Sequence, residues 1–159
     1  MNNYQDGDIV LSRESTFTSW VIRKMTSSDW SHAGIIIDDK LVSAVPMTGV
    51  CIRSLDVAKT RVVYRYKGDL TDSHKANIKL FAADNIGKPY DMTQVFLLGW
   101  RILRGTIETS TGDPNPTAFE CLEFVSEAYY KAGIQLSKCV DNLLPNMIVN
   151  SSVFSRVID

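Results

Sequence analysis

An α+β fold is predicted for this 159-residue chain by three features. About five short apolar or alternating runs fill the part before residue 67, turn signals separate them, and from Thr71 onward the apolar period changes from two to 3.6. Short half-buried runs of this kind suit an antiparallel sheet, here of about five strands packed with helices. The length fits a single domain over residues 1–159. Hydrophobic residues make up 45% and charged residues 22%, as in globular proteins, and a net charge of -1 with scattered Lys and Arg gives no electrostatic footprint for nucleic acid.

Asp6-Gly7-Asp8 is a turn signal, and Ile9-Val10-Leu11 after it suits a buried strand. Phe17, Trp20, Val21 and Met25 then recur with helical spacing, between a possible cap at Ser15 and a stop at Thr26-Ser27-Ser28-Asp29. Residues 30–37 form a strand that opens on Trp30-Ser31-His32 and ends in Asp38-Asp39-Lys40, which suits a hairpin turn to residues 41–45. Pro46 and Gly49 punctuate the chain before two more strands, residues 50–55 and 61–66. Cys51 reads as a packing residue in the first of them, and Val62, Tyr64 and Tyr66 alternate onto one face of the second.

Ile78, Phe81, Ala82 and Ile86 mark a helix capped by Thr71 or Ser73 and stopped by Gly87-Lys88-Pro89. Asp91 opens a further helix through Leu103. Its apolar run, residues 95–103, is far short of the roughly 20 residues a membrane span needs. Residues 105–118, with Gly105, Gly112, Pro114 and Pro116, form an irregular connection that is either a lid over a site or a surface loop. Residues 117–133 read as a helix: Thr117 and Glu120 have capping-box spacing, and Gly133 before Ile134 is an αL or Schellman stop. After Gly133 the chain reads as irregular, with apolar patches at residues 143–145, 147–149 and 153–154.

Cys121, Val125, Ala128 and Ala132 share a stripe of that last helix, so Cys121 is either a packing residue or a thiol whose position in the first turn favours thiolate. A cysteine–histidine nucleophilic pair has two histidines to draw on. His74 stands at a polar helix start beside Lys75 and reads as a solvated side chain. His32 opens an apolar strand with Gly34 next on its own face, and serves either as a base or as a core ring satisfied by a carbonyl. Three cysteines without CxxC spacing indicate neither a disulfide framework nor a zinc site, and no cofactor or metal is expected. The first residues lack a basic and an apolar signal region, so a cytoplasmic location is expected, export by another route aside.

Four motifs stand in order along the chain: Gly7-Asp8-Ile9-Val10-Leu11, Trp30-Ser31-His32-Ala33-Gly34-Ile35, Gly87-Lys88-Pro89-Tyr90-Asp91 and Cys121-Leu122-Glu123-Phe124-Val125. Together they resemble the circularly permuted branch of the NlpC-type papain-like superfamily, the YiiX-like group, in which the histidine strand precedes the cysteine helix. Residues 144–154 resemble that group's closing segment.

The resemblance implies a papain-like fold with its nucleophile at a helix N-terminus, and a thiol-dependent hydrolase or acyltransferase. Cys121 is then the nucleophile and His32 the general base and later acid, with backbone N–H groups at the helix start facing the oxyanion. Trp30, Gly34, Tyr90 and Glu123, which lie in the matching motifs, are implied as substrate-binding, Glu123 having a solvated helix carboxylate as its other reading. The third catalytic position departs from the group, whose acidic residue before Ala-Val is Ser43 here. Ser43 accepts a hydrogen bond but brings no charge, so either it orients His32 weakly, Asp38 or Glu123 substitutes, or catalysis is lost. The implied substrates are small peptides, including cell-wall peptides. The alternatives are a lipid-directed acyl hydrolase or acyltransferase, as in relatives of the lecithin:retinol acyltransferase type, and a non-catalytic binding module.

Overall fold

The structure, a computed structural model, describes residues 3–15, 17–91, 100, 104, 120–136 and 143–158. Within them a six-stranded antiparallel sheet runs in the order β4-β3-β2-β1-β5-β6. The strands are β1 (Ile9–Ser12), β2 (His32–Ile37), β3 (Lys40–Val45), β4 (Gly49–Ser54), β5 (Arg61–Tyr66) and β6 (Phe154–Val157). The helices are α1 (Phe17–Thr26), α2 (Asp72–Asn85), α3 (Cys121–Lys131) and α4 (Pro145–Val149).

The register explains why β1 and β2 read as unbroken apolar runs. Ile9 pairs with Ile35 and Leu11 with Ala33, and these four belong to the main core with α2 and α3. Val10 and Ile36 belong instead to a second apolar cluster with Leu41 and Val63. The centre of the sheet is therefore buried on both faces, whereas short separated runs suggested half-buried strands. Asp38 and Asp39 both have positive φ, +48° and +58°, in the two-residue turn that joins Ile37 to Lys40. That is the type I′ hairpin the sequence favours.

The tail departs from the irregular reading. Residues 154–157 pair with β5, Phe154 opposite Tyr66 and Arg156 opposite Tyr64, and α4 makes one turn with Pro145 at its start. Both pieces are too short to show a period.

Helix α3 also begins later than its spacing predicts. Its cap is Glu120, whose Oε1 accepts the Glu123 N–H at 2.6 Å, while Glu123 Oε2 accepts the Glu120 N–H at 3.2 Å. The capping box is thus Glu120 with Glu123 and puts Cys121 at the first helical position. Thr117 lies outside the described residues, as do Cys139, the connection 105–118 and most of the expected helix 91–103. At the other end the Gly133 N–H bonds Tyr130 and the Ile134 N–H bonds Tyr129, with Gly133 at φ +87°, a complete Schellman stop. Every residue from Cys121 to Tyr129 is buried, so α3 has no solvent face over these turns. Among the described residues no helix is long and apolar enough to cross a membrane.

Candidate active site at the start of α3 and the edge of β2

Three strands bring a polar group together. His32 opens β2, Ser43 lies inside β3, and Arg53 lies near the end of β4, where it pairs with Leu41. The His32 Nε2 is 3.2 Å from Ser43 Oγ and 3.1 Å from Arg53 Nη2, and Arg53 Nη2 also donates to Ser43 Oγ at 3.4 Å. Arginine carries donors only. The Arg53 contact is therefore a hydrogen bond when Nε2 presents its lone pair, which leaves the ring proton on Nδ1.

Gly34 makes this packing possible. A Cβ there would stand 2.6 Å from Leu41 Cδ1 and 2.9 Å from both Ser43 Cβ and the Val42 carbonyl. The space it leaves is filled by protein, and this glycine serves the His32–Ser43 contact.

Cys121 meets the sheet one residue further along β2. Its sulfur lies against the backbone N–H groups of Ala33 and Leu122, and its own S–H donates to Glu120 Oε2 at 3.6 Å. Among the described residues no hydrogen bond joins it to His32. The Tyr90 hydroxyl also bonds to Cys121. Tyr90 is held there by its segment: the Val50 N–H donates to the Lys88 carbonyl and the Gly87 N–H to the Val50 carbonyl, both at 2.8 Å. Gly49, at φ +82°, passes so close to the Lys88 carbonyl that a Cβ would lie 2.2 Å from it.

The electrostatics keep His32, Cys121 and Tyr90 uncharged at rest. Burial first, and the Arg53 charge second, push the His32 pKa from 6.5 down to about 3. Burial, then the Glu120 carboxylate, push the Cys121 thiol up, against the smaller opposing pull of the Ala33 and Leu122 N–H groups. Burial also pushes up Tyr90, helped by Cys121 and Glu120. Beside His32 and Tyr90 lies a cavity of about 40 Å³, also bordered by Glu14, Ile22, Val45 and Pro46. That is space for about one or two waters, so a peptide group enters only if neighbouring side chains move.

Of the residues singled out in the sequence, His32, Ser43 and Gly34 meet on one face of the sheet, Cys121 belongs to the main core against its other face, and Tyr90 borders the cavity with His32 and bonds to Cys121. Trp30 is packed against the main core and does not border the cavity, and Glu123 caps its own helix, buried. Asp38, weighed as a partner for His32, sits on the hairpin turn with its Oδ1 2.6 Å from Lys79 Nζ. His74 also acts locally: its Nδ1 accepts the Thr71 N–H at the start of α2. Arg53 and Glu120 were missed. Nothing local marks either one, since Arg53 reaches His32 across β3 and glutamate is not a usual N-cap residue.

Most of the residues on which a lipid-directed reading turns, 95–103 and 105–118, lie outside the described residues. Trp100 is 55% exposed, with the Arg104 guanidinium 4.4 Å above its ring. No protein-family model and no curated protein matches the chain. Among solved structures the chain is similar to "Crystal structure of metalloprotein yiiX from Escherichia coli O157:H7, DUF1105", at 20% identity and a TM-score of 0.70 over 98% of this chain and 97% of that one. The two proteins share a fold over their whole matched length.

Proposed function

We propose that the chain is a single papain-like domain of the permuted NlpC type, acting as a thiol-dependent hydrolase on amide bonds of small peptides. The observation that carries this reading is the position of Cys121, first residue of α3, with its sulfur against two backbone N–H groups beside the histidine strand. In the proposed reaction the thiol gives up its proton to His32, sulfur attacks the carbonyl carbon, and the Ala33 and Leu122 N–H groups stand near the developing oxyanion. The protonated ring passes its proton to the leaving amine, and water then releases the acid from the thioester. Ser43 orients the ring through Nε2, and in the tautomer that carries its proton on Nε2 and donates it to Ser43 Oγ, Nδ1 has the lone pair that takes the thiol proton.

The resting electrostatics favour a second reading, a binding module that keeps the fold without the reaction. A neutral imidazole facing a guanidinium and a protonated thiol facing a carboxylate are not an activated pair. The similar structure is described as that of a metalloprotein. Among the described residues no group of three or more His, Cys, Asp or Glu side chains could hold a metal ion, so these residues do not fit one.

A panel of peptide amide, peptide ester and phospholipid substrates separates these readings. Turnover of the amides that disappears in both Cys121→Ala and His32→Ala is the expected result. Turnover that survives Cys121→Ala, or binding of peptides without any turnover, contradicts it.

A further inference from the structure

We infer that Arg53 is the residue through which this site recognises an oxyanion, a carboxylate or a phosphate, carried by the substrate beside the group offered to Cys121. The inference rests on the reading of Cys121 and His32 as the reacting pair and adds the charge of what they act on. Its basis is the poor match between the guanidinium and its surroundings. Arg53 has five N–H donors and a side chain only 23% exposed. Its Nη2 is shared between a neutral ring nitrogen and a hydroxyl. Its Nη1 comes no nearer than 3.9 Å to Glu14 Oε1, on a carboxylate that is 37% exposed. Its Nε is buried and has no hydrogen-bond partner among the described residues.

A half-buried guanidinium without a carboxylate at hydrogen-bond distance among the described residues contrasts with Arg65 on β5, whose Nε and Nη2 hold both oxygens of Asp8 at 2.8 and 2.7 Å. The Nη1–Nη2 end of the Arg53 fork is left able to pair with a ligand oxyanion as Arg65 pairs with Asp8 through its own fork. Two of its neighbours, Glu14 and His32, border the cavity, so an anion seated on the fork sits at the mouth of the site.

Recognition also changes the histidine. An anion that draws Nη2 away frees His32 Nε2 to carry a proton and donate it to Ser43 Oγ. Nδ1 is then left with a lone pair for the thiol proton. Substrate charge thereby raises the share of the tautomer in which Nδ1 takes the thiol proton, and a neutral substrate uses the smaller share already present.

The test is nuclear magnetic resonance of the ring nitrogens in the full chain at fixed pH. The two histidines make it simple, His74 being a half-buried control at the start of α2, away from Arg53. The probes are N-acetylglycine, its neutral amide N-acetylglycinamide, and inorganic phosphate. Saturable shifts of His32 with N-acetylglycine, with phosphate or with both are expected, with His74 unmoved and the amide at least tenfold weaker. Which anion acts names the carboxylate or the phosphate as the ligand chemistry. Arg53→Gln should weaken binding at least tenfold, and Arg53→Lys, which keeps the charge and loses the fork, should fall between.

Binding is scored in Cys121→Ala as well, where it should be unchanged. A failure of the hydrolase reading therefore leaves this result standing, and a failure of anion recognition leaves turnover of neutral peptides standing. Equal binding of acid and amide, equal binding by a folded Arg53→Gln, or no shift of His32 with either anion overturns the inference.

Discussion

His32 is buried as a neutral ring, and this makes it an acid-sensitive point of the fold as well as a candidate base. Above 6.5 both folded and unfolded chains carry it uncharged, and it adds no pH dependence. As pH falls below 6.5 the unfolded chain takes up a proton that the fold refuses until about 3, so stability declines across that window. Between pH 6.5 and 4.5 the loss amounts to about 2–3 kcal/mol. Urea unfolding of wild type and His32→Gln at pH 7 and 4.5 checks this: the variant should lack that part of the acid decline, and parallel declines would mean a solvated ring. Glu120 makes the matching case at the thiol. Glu120→Gln keeps an oxygen for the Glu123 N–H and removes the charge facing Cys121, so Cys121 alkylation by iodoacetamide at pH 8 should quicken by about threefold or more. An unchanged rate would place the thiol out of reach of that carboxylate. Gly34→Ala should cost about 1–3 kcal/mol by overpacking, read from the urea midpoint, because Val42 O and Ser43 Cβ cannot both retreat from a new Cβ.

Among elements, α3 is fixed by its ends more than by its stripe. Gly133→Ala isolates one of those ends. A Cβ there meets nothing within 4 Å, so its cost is conformational alone, about 1–2 kcal/mol for a positive φ. A loss much larger than that in thermal unfolding would reveal a packing role the geometry lacks. This stop was legible in sequence because Gly followed by an apolar residue is a local signal. So were β1 through β5, α1 and α2, whose runs, turns and caps lie within a few residues of one another. β6 and α4 were not, with four and five residues and no room for a period. Within the site, alternation alone put His32 and Gly34 on one face of β2, and Ser43 was marked only by the family resemblance. Arg53 was not marked, because its reach depends on the β3–β4 register that sets Leu41 opposite it. The Glu120 cap was hidden by Thr117, which offered a more familiar pattern three residues earlier.

For the whole molecule, the entry to β1 joins the layers. Asp8, 1% exposed, is held by Arg65 of β5, and the Tyr129 hydroxyl of α3 donates to the Gly7 carbonyl. Asp8 also accepts the Gln5 N–H. Arg65→Met would leave that carboxylate buried without its cation, at a cost of about 3–5 kcal/mol at pH 7, and adding Asp8→Asn should recover part of it. A single variant as stable as wild type in urea would show that the pair is not structural. This clamp and the Schellman stop fix the last turn of α3 against the entry to β1, and the Glu120 cap fixes its first turn, where Cys121 stands.

The central claim is that Cys121 attacks a carbonyl with His32 as its base, and acyl trapping tests it most directly. The protein is mixed with the p-nitrophenyl ester of an N-acetylated dipeptide, quenched in acid within seconds, and its intact mass and peptide map are read. The account predicts one acyl group, on Cys121, absent from Cys121→Ala and formed at least a hundredfold more slowly in His32→Ala, in line with the general-base contribution of about 10²–10⁴. Acylation spread equally over Cys51 and Cys139, or an undiminished rate in His32→Ala, would contradict it.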